Sequence, residues 1–430
     1  MSSSIIPAPR SLPAADRPAV LDRLCRRLLL SQLAKVESSQ ITLLDRGRRL
    51  SFGEARNDNA PRCTITVHHP RFYRDAVLGG HLAAAEGYVH GLWDCDDLTA
   101  LVRVFARNLR LSDEMDRLSV RVGGALLRAG HALRRNTLAG SRSNIAAHYD
   151  LGNDFFELLL DPTLCYSCAV FDSPEMSLMD AQVAKLDRLI DKLGLTADQH
   201  LLEIGTGWGA LAVRAAERTG CRVTTTTLSR QQHAHAQRLI AERGLTDRVT
   251  LVLRDYRELD GAYDKLVSVE MIEAVGHQFY GRFFDACAKL LKPAGRGVIQ
   301  SITIPDQRYD SARKCVDFIK KFIFPGSCIP SVAVLQQAMC KASDLRLTHL
   351  EELGPHYATT IRRWSDNLHA QRERVLERGY PRELIRLWDF YLAYCEGGFV
   401  ERNIGLAQFE VRKPGCVDPP LTPMPIGAVS

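Results

Sequence analysis

From His200 to Ile302 the chain alternates short apolar runs with amphipathic stretches, and that alternation leaves few folds open. His200–Ile204 (HLLEI), Arg222–Thr226, Val249–Leu253, Lys265–Val269 and Gly297–Ile302 read as strands. Helical stretches such as Ser229–Arg243 and Tyr280–Leu291 lie between them. Strands in this order pair in parallel and are covered by helices on both faces. Residues 310–345 read as helical around the break at Phe324-Pro325-Gly326. Two late strands, Arg346–Leu353 and Ile404–Arg412, flank a helical insertion at 357–400. The expected fold class is α/β, a Rossmann-like seven-stranded sheet with a small α/β domain ahead of it.

The first strand runs into Leu202-Glu203-Ile204-Gly205-Thr206-Gly207-Trp208-Gly209. Alternate glycines permit a tight turn and let a ligand approach the backbone. The spacing is G-x-G-x-G, not the G-x-G-x-x-G of pyrophosphate-binding turns. An acid also precedes the glycines, placed to hold the cationic amino end of S-adenosylmethionine. Both features favour a class I S-adenosylmethionine-dependent methyltransferase over a dinucleotide-binding protein. Glu203, Gly205, Gly207 and Gly209 are therefore candidate cofactor-binding residues. The second strand ends in Thr227-Leu228-Ser229 with no acid, so Thr227, Leu228 and Gln232 are expected to bind the cofactor by neutral contacts. Asp255-Tyr256-Arg257 closes the third strand, where an adenine edge is expected; a structural ion pair beside a surface ring is the competing reading. Val269, at the end of the fourth strand, completes this set.

The rest of the chain bounds the setting. No run approaches the roughly 18–20 apolar residues of a membrane-spanning helix, and the N-terminus has no secretory pattern. Cys165 and Cys168 form a lone C-x-x-C, so free thiols are expected and a metal site is not. The net charge of +6 is uneven. Arg121, Arg128, Arg134, Arg135 and Arg142 occur without an acid among Leu126, Leu127, Leu133 and Leu138. Such a segment can rest on an anionic membrane surface or form a solvated helix packed on its own protein. The domains are expected as a disordered start at 1–18, a small N-terminal lipid or dimerisation domain at 19–111, a basic linker at 112–143, a catalytic domain at 144–412 and a disordered tail at 413–430. In the N-terminal domain Val20–Val36 reads as an amphipathic helix with Leu21, Leu24 and Leu28 at helical spacing. Ile41–Leu44, Leu50–Phe52 and Cys63–His68 read as strands.

Further motifs carry a family resemblance. His148-Tyr149-Asp150-Leu151-Gly152-Asn153-Asp154-Phe155-Phe156, Tyr166-Ser167-Cys168-Ala169, Leu202–Gly209, Ser268-Val269-Glu270-Met271-Ile272-Glu273 and Phe322-Ile323-Phe324-Pro325-Gly326 occur in this order. Together they resemble the cyclopropane-fatty-acyl-phospholipid synthases and the related mycolic acid cyclopropane synthases. The likeness spans about 144–412 and extends more weakly over 40–110, where Phe72-Tyr73, Gly79-Gly80, Glu86-Gly87-Tyr88 and Gly91-Leu92-Trp93 occur.

The resemblance implies methylene transfer from S-adenosylmethionine to the double bond of unsaturated acyl chains of membrane phospholipids. The intermediate is a carbocation, deprotonated by bound bicarbonate. It implies Cys168, Glu273, Ile302, Tyr357 and Cys395 as catalytic-site residues, with Tyr166 and Ser167 reaching the cofactor. Gln300 stands where many members carry histidine; an amide can donate a hydrogen bond but cannot carry a proton away. A methyl- or methylene-branched product thus stays open. So do a small-molecule N-methyltransferase and a non-catalytic lipid-binding protein. The expected setting is cytoplasmic, at the inner face of the membrane, as a homodimer and without nucleic acid.

Overall fold

The structure, a computed structural model, describes residues 19–109 and 151–417. Contacts divide these into two compact units. One holds the residues up to 109 together with 315–325 and 368–403; the other holds 151–314, 326–367 and 404–417. The basic segment at 112–143, the motif residues His148–Asp150 and the first 18 residues lie outside the described residues.

The first unit is built on a four-stranded sheet in the order β2-β1-β3-β4, with β1 at Gln40–Asp45, β2 at Arg48–Phe52, β3 at Arg62–Val67 and β4 at Trp93–Cys95. Arg46 and Gly47, with φ of 52° and 75°, form the two-residue turn of the β1–β2 hairpin. Positive φ at both positions matches the twist of the flanking strands. The three-residue β4 has no sequence pattern of its own and pairs antiparallel with β3. The helix Val20–Leu33 buries Cys25, Leu29 and Leu33, while Leu21, Leu24 and Leu28 lie on its exposed side. The leucines that suggested the buried stripe are therefore the outer face.

The segments 315–325 and 368–403 group by contacts with this unit. The physical reason is in the helix Arg382–Val400. A Cβ on Gly397 would stand 2.7 Å from a Val102 methyl, so the glycine lets this helix approach the helix Leu98–Arg107 closely. Beside it Thr99 donates to Glu396 at 3.0 Å, and Arg103 and Arg107 both pair with Glu401 at 2.8 Å. Arg386 pairs with Asp94 and stands 3.9 Å from the Tyr88 ring centroid.

The second unit is a seven-stranded sheet in the order β10-β11-β9-β8-β5-β6-β7. Its strands are β5 His200–Ile204, β6 Arg222–Thr227, β7 Val249–Leu253, β8 Tyr263–Val269, β9 Leu291–Thr303, β10 Arg346–Glu352 and β11 Gly405–Arg412. The five from β9 to β7 are parallel; β11 runs antiparallel to β9 and to β10. Neighbouring residues in the central strands serve opposite faces. Leu202, Leu266 and Ile299 join one core with Phe283 and Phe284. Leu201, Val267 and Val298 join another with Leu189, Leu193 and Leu211. This is why those strands read as continuous apolar runs. Within the tail expected from Lys413 onward, Lys413 and Gly415 donate backbone hydrogen bonds to Gly295 and Pro293 at 2.9 and 3.1 Å, while residues 418–430 lie outside the described residues.

Candidate active site

The chain lays β5, β6 and β7 outward in one direction, then places β8 and β9 on the other side of β5. Doubly wound sheets bind ligands at such a reversal, beyond the C-terminal ends of the strands. The glycine turn and the acids of the S-V-E-M-I-E motif both lie there.

Gly205, Gly207 and Gly209 have φ of 105°, 54° and 101°, a region that side chains disfavour. A Cβ on Gly207 would meet nothing within 4 Å, so the space above it is open to a ligand. At Gly209 a Cβ would lie 3.1 Å from that of Ala236, so this glycine also serves packing. The backbone N–H groups of Gly205 and Thr206 donate to Thr226 O at 3.1 and 3.0 Å, fixing the turn to β6.

Glu203 sits beneath this turn, buried, with Oε2 accepting from the Thr225 hydroxyl at 2.5 Å. Burial pushes its carboxyl up to about 8, opposed by that hydroxyl and by the charge of Lys185. Thr227 donates to Gln232 Oε1 at 2.8 Å and accepts from the Ser229 N–H at 3.1 Å, while Leu228 is half-buried beside them. Ser167 accepts from Lys185 Nζ at 2.9 Å, and its carbonyl accepts from Gln182 at 2.9 Å. The Tyr166 ring packs on Phe156 and Trp364 at 5.5 and 5.2 Å between centroids.

A second cluster forms at the ends of β8 and β9, around an acid that the sequence reading passed over. Glu270 has φ of 49° and is half-buried. Its Oε1 accepts from the Cys168 N–H at 2.9 Å and from Gln300 Nε2 at 2.7 Å; Oε2 accepts from the Tyr357 hydroxyl at 2.5 Å. Burial raises its pKa, and these three donors oppose the rise. Glu273 accepts from the Ile302 N–H and from Ser301 Oγ, the latter at 3.1 Å. Its other oxygen is buried and has no hydrogen-bond partner among the described residues. Burial, then the charge of Glu270, pushes the Glu273 carboxyl up to about 8.

A chain of polar groups stands behind Gln300. Lys192 Nζ donates to Glu351 at 2.5 Å and to Gln408 Oε1 at 2.6 Å. Gln408 Nε2 then donates to Gln300 Oε1 at 2.8 Å, across the paired strands β11 and β9.

Residues 137–409 match the family described as mycolic acid cyclopropane synthetase. The chain is 35% identical over 436 residues to the tuberculostearic acid methyltransferase UfaA1 of Mycobacterium tuberculosis, covering 96% of this chain and 95% of that protein. This chain belongs to the mycolic acid cyclopropane synthetase family. It is also 34% identical over 362 residues to the cyclopropane-fatty-acyl-phospholipid synthase of Escherichia coli strain K12, covering 83% of this chain and 89% of that one. The solved mycolic acid cyclopropane synthase CmaA1, complexed with SAH and CTAB, superposes with a TM-score of 0.60 at 34% identity, covering 63% of this chain and 98% of its own. The protein is an S-adenosylmethionine-dependent C-methyltransferase.

The structure sorts the residues expected at the site of this family member. Cys168, Gln300 and Tyr357 meet at Glu270, while Ile302 meets Glu273. Cys168 contributes its backbone N–H there. Its thiol is buried and held well above its ordinary pKa, by burial first and by the Glu270 charge second. Cys395 is on the helix Arg382–Val400, in the other compact unit. Asp255 is engaged by Arg257 through Nε at 2.8 Å and a terminal nitrogen at 2.7 Å, the ion pair of the competing reading. Tyr256 is a buried core ring edge-on to Phe283 at 5.6 Å, not a surface ring. Val269 ends β8 opposite Gln300 on β9.

Sequence reasoning missed Glu270, Lys185 and Gln408. For Glu270 the signal was present, as two acids three residues apart just after a parallel strand. Lys185, only 2% exposed, and Gln408 carried none, because nothing local marks a polar side chain as buried.

Proposed function

We propose that this protein transfers a methyl carbon from S-adenosylmethionine to the double bond of unsaturated acyl chains in membrane phospholipids, closing a cyclopropane ring. The observation that carries this reading is a carboxylate cluster, Glu270 with its three donors and the buried Glu273, at the C-terminal ends of β8 and β9, beside the open glycine turn. The donor, when bound, supplies an electrophilic methyl group. The turn from Gly205 to Gly209, with Tyr166, Ser167, Thr227 and Gln232, is composed to hold it. An alkene that accepts this methyl becomes a carbocation. The buried negative charge lowers the energy of that cation, and the dry surroundings keep water from trapping it as an alcohol. Loss of a proton from the new methyl then closes the ring.

A second reading has its own support. The relative matched over 96% of the chain is a tuberculostearic acid methyltransferase. In this reading the same cation undergoes a hydride shift before losing a proton from the added methyl, which gives a methylene branch. Both products arise from alkene and donor with release of S-adenosylhomocysteine and one proton, so they are isomers.

The work is proposed to take place at the anionic inner face of the membrane. The arginine-rich segment from Arg121 to Arg142 supports this by sequence, and among the described residues no helix is long and apolar enough to cross a bilayer.

The test is incubation with methyl-labelled donor and vesicles of unsaturated anionic phospholipid, against saturated vesicles and small amines. The expected result is label in the unsaturated acyl chains alone, with a gain of one methylene unit. Label only in amines rejects the reading. Because the two products share a mass, fragmentation and resistance to mild hydrogenation separate ring from methylene branch.

A further inference from the structure

We propose that Glu270 is the proton acceptor of this reaction, a carboxylate built into the chain where family resemblance implied a bound bicarbonate. The assignment rests on the acyl methylation proposed above. Cys168, Glu273, Ile302 and Tyr357, which the resemblance places at the bicarbonate, and Gln300, which stands at the histidine position, are all engaged without it. Cys168, Gln300 and Tyr357 donate to Glu270. Ile302 donates to Glu273. The residues present therefore do not fit a separate anion, which would lack these donors and stand against a like charge.

The state of Glu270 follows from the groups behind it. Lys192 can only donate, so the Gln408 carbonyl oxygen faces it. The Gln408 amide nitrogen must then face the Gln300 oxygen, and the Gln300 nitrogen must face Glu270. Glu270 consequently receives donors from Gln300 and from a backbone N–H, and these stabilise the carboxylate against the rise in pKa that burial causes. A glutamine is sufficient at position 300, since its task is to donate and not to take up a proton. Lys192, Gln408 and Gln300 are positioning residues in this scheme.

The backbone agrees. Glu270 holds φ of 49°, a conformation that costs a non-glycine residue energy and tends to be retained where a side chain has a specific task. Of the roughly four lone-pair sites of a carboxylate, Oε1 uses two and Oε2 uses one. The remaining site on Oε2 can accept a proton.

In the proposed step a C–H bond of the transferred methyl breaks and its proton bonds to Glu270 Oε2. The electron pair of that C–H bond forms the new carbon–carbon bond to the cationic centre. The Glu270 proton later passes to solvent. No oxidant, reductant or second base is needed.

The test uses the full-length protein with unsaturated phospholipid vesicles, in carbonate-stripped buffer and again with added bicarbonate. The expected wild-type rate is the same in both. A rate that collapses on stripping and returns on addition overturns the assignment while leaving the acyl methylation intact. No label in acyl chains under either condition overturns both. Glu270→Gly relieves the backbone and removes the carboxylate; its turnover is expected to fall by about 10²–10⁴-fold. It should bind S-adenosylhomocysteine with wild-type affinity by calorimetry and recover part of its rate with bicarbonate or formate. Glu270→Gln should be as slow but gain nothing from either anion, because the amide fills the space. A folded Glu270→Gly protein that keeps the wild-type rate in stripped buffer overturns the proposal. If that variant does not fold, the bicarbonate response of the wild type decides the matter alone.

Discussion

The glycine turn after β5 and the acid cluster after β8 occupy the same end of one sheet, yet they are made in different ways. The turn is a run of consecutive residues whose function is carried by the backbone: three glycines at positive φ, two amides fixed to β6, and open space above Gly207. The cluster is made of side chains and one amide brought from four separate elements. Cys168, Glu270, Gln300 and Tyr357 meet only when the sheet, the segment before it and the helix Gly354–Ala370 are all in place. A ligand that must lie against backbone is served by local sequence. A buried charge that must be held ionised needs donors from several directions, and those cannot come from one stretch of chain.

If that contrast is right, damage to the turn should remove cofactor binding, whereas damage to the cluster should spare binding and slow the chemistry. The largest effect is expected for Gly209→Val, which adds a β-branched side chain at φ of 101° against Ala236. Strain of at least about 1–2 kcal/mol for the backbone, with the clash added, should lower the melting temperature. Affinity for S-adenosylhomocysteine should fall by more than a hundredfold in calorimetry. Unaltered affinity would show that the turn is not the cofactor cradle.

Next in size is Tyr357→Phe, which removes the O–H donor to Glu270. A hydrogen bond to a charged group contributes about 1.5–3 kcal/mol, so turnover should fall roughly tenfold to a hundredfold with binding retained. That donor opposes the raised pKa of Glu270, so its loss should move the acid limb of the pH–rate profile to higher pH. An acid limb that stays in place would separate Tyr357 from the titrating group.

Gln408→Leu tests the more distant part of the cluster. It leaves Gln300 free to rotate its amide and Lys192 without one of its acceptors. Turnover should drop about three- to tenfold, with a loss of about 1–3 kcal/mol of stability in denaturant titrations. Equal turnover would mean that Gln300 is oriented without the relay.

The smallest effect concerns stability and joins both regions. Glu203 under the turn and Glu273 in the cluster hold their protons to about 8 when folded, against an ordinary 4.5. Below 4.5 both folded and unfolded chains are protonated. Between 4.5 and about 8 only the unfolded chain releases these protons, so stability falls as pH rises across that window and levels off above it. Glu203→Gln still accepts from Thr225 and removes one of the two titrations. The decline in melting temperature across the window should shrink by roughly 2–4 °C. An unchanged slope would show that Glu203 is ionised in the folded protein.

Sequence alone determined the alternating α/β order, the glycine turn and the two late strands. Each depends on neighbours along the chain: consecutive apolar residues in β5, β8 and β9, or glycines where φ must be positive. It also named most of the groups around the second acid, through the Y-S-C, V-I-Q-S-I and H-Y-A motifs. Glu273 was named from the family resemblance of its M-I-E motif, and nothing local states which donors each of the two acids will receive.

Only the tertiary structure shows the partners of the two acids, by placing Cys168, Gln300 and Tyr357 around Glu270 and the Ile302 N–H and Ser301 hydroxyl at Glu273. It also moved Cys395 into the other compact unit, through the close packing that Gly397 allows. A residue's partners across a sheet depend on pairing register and on which face it takes. These are set by the packing of the whole unit, and so the charge state of a buried acid cannot be read from its neighbours in sequence.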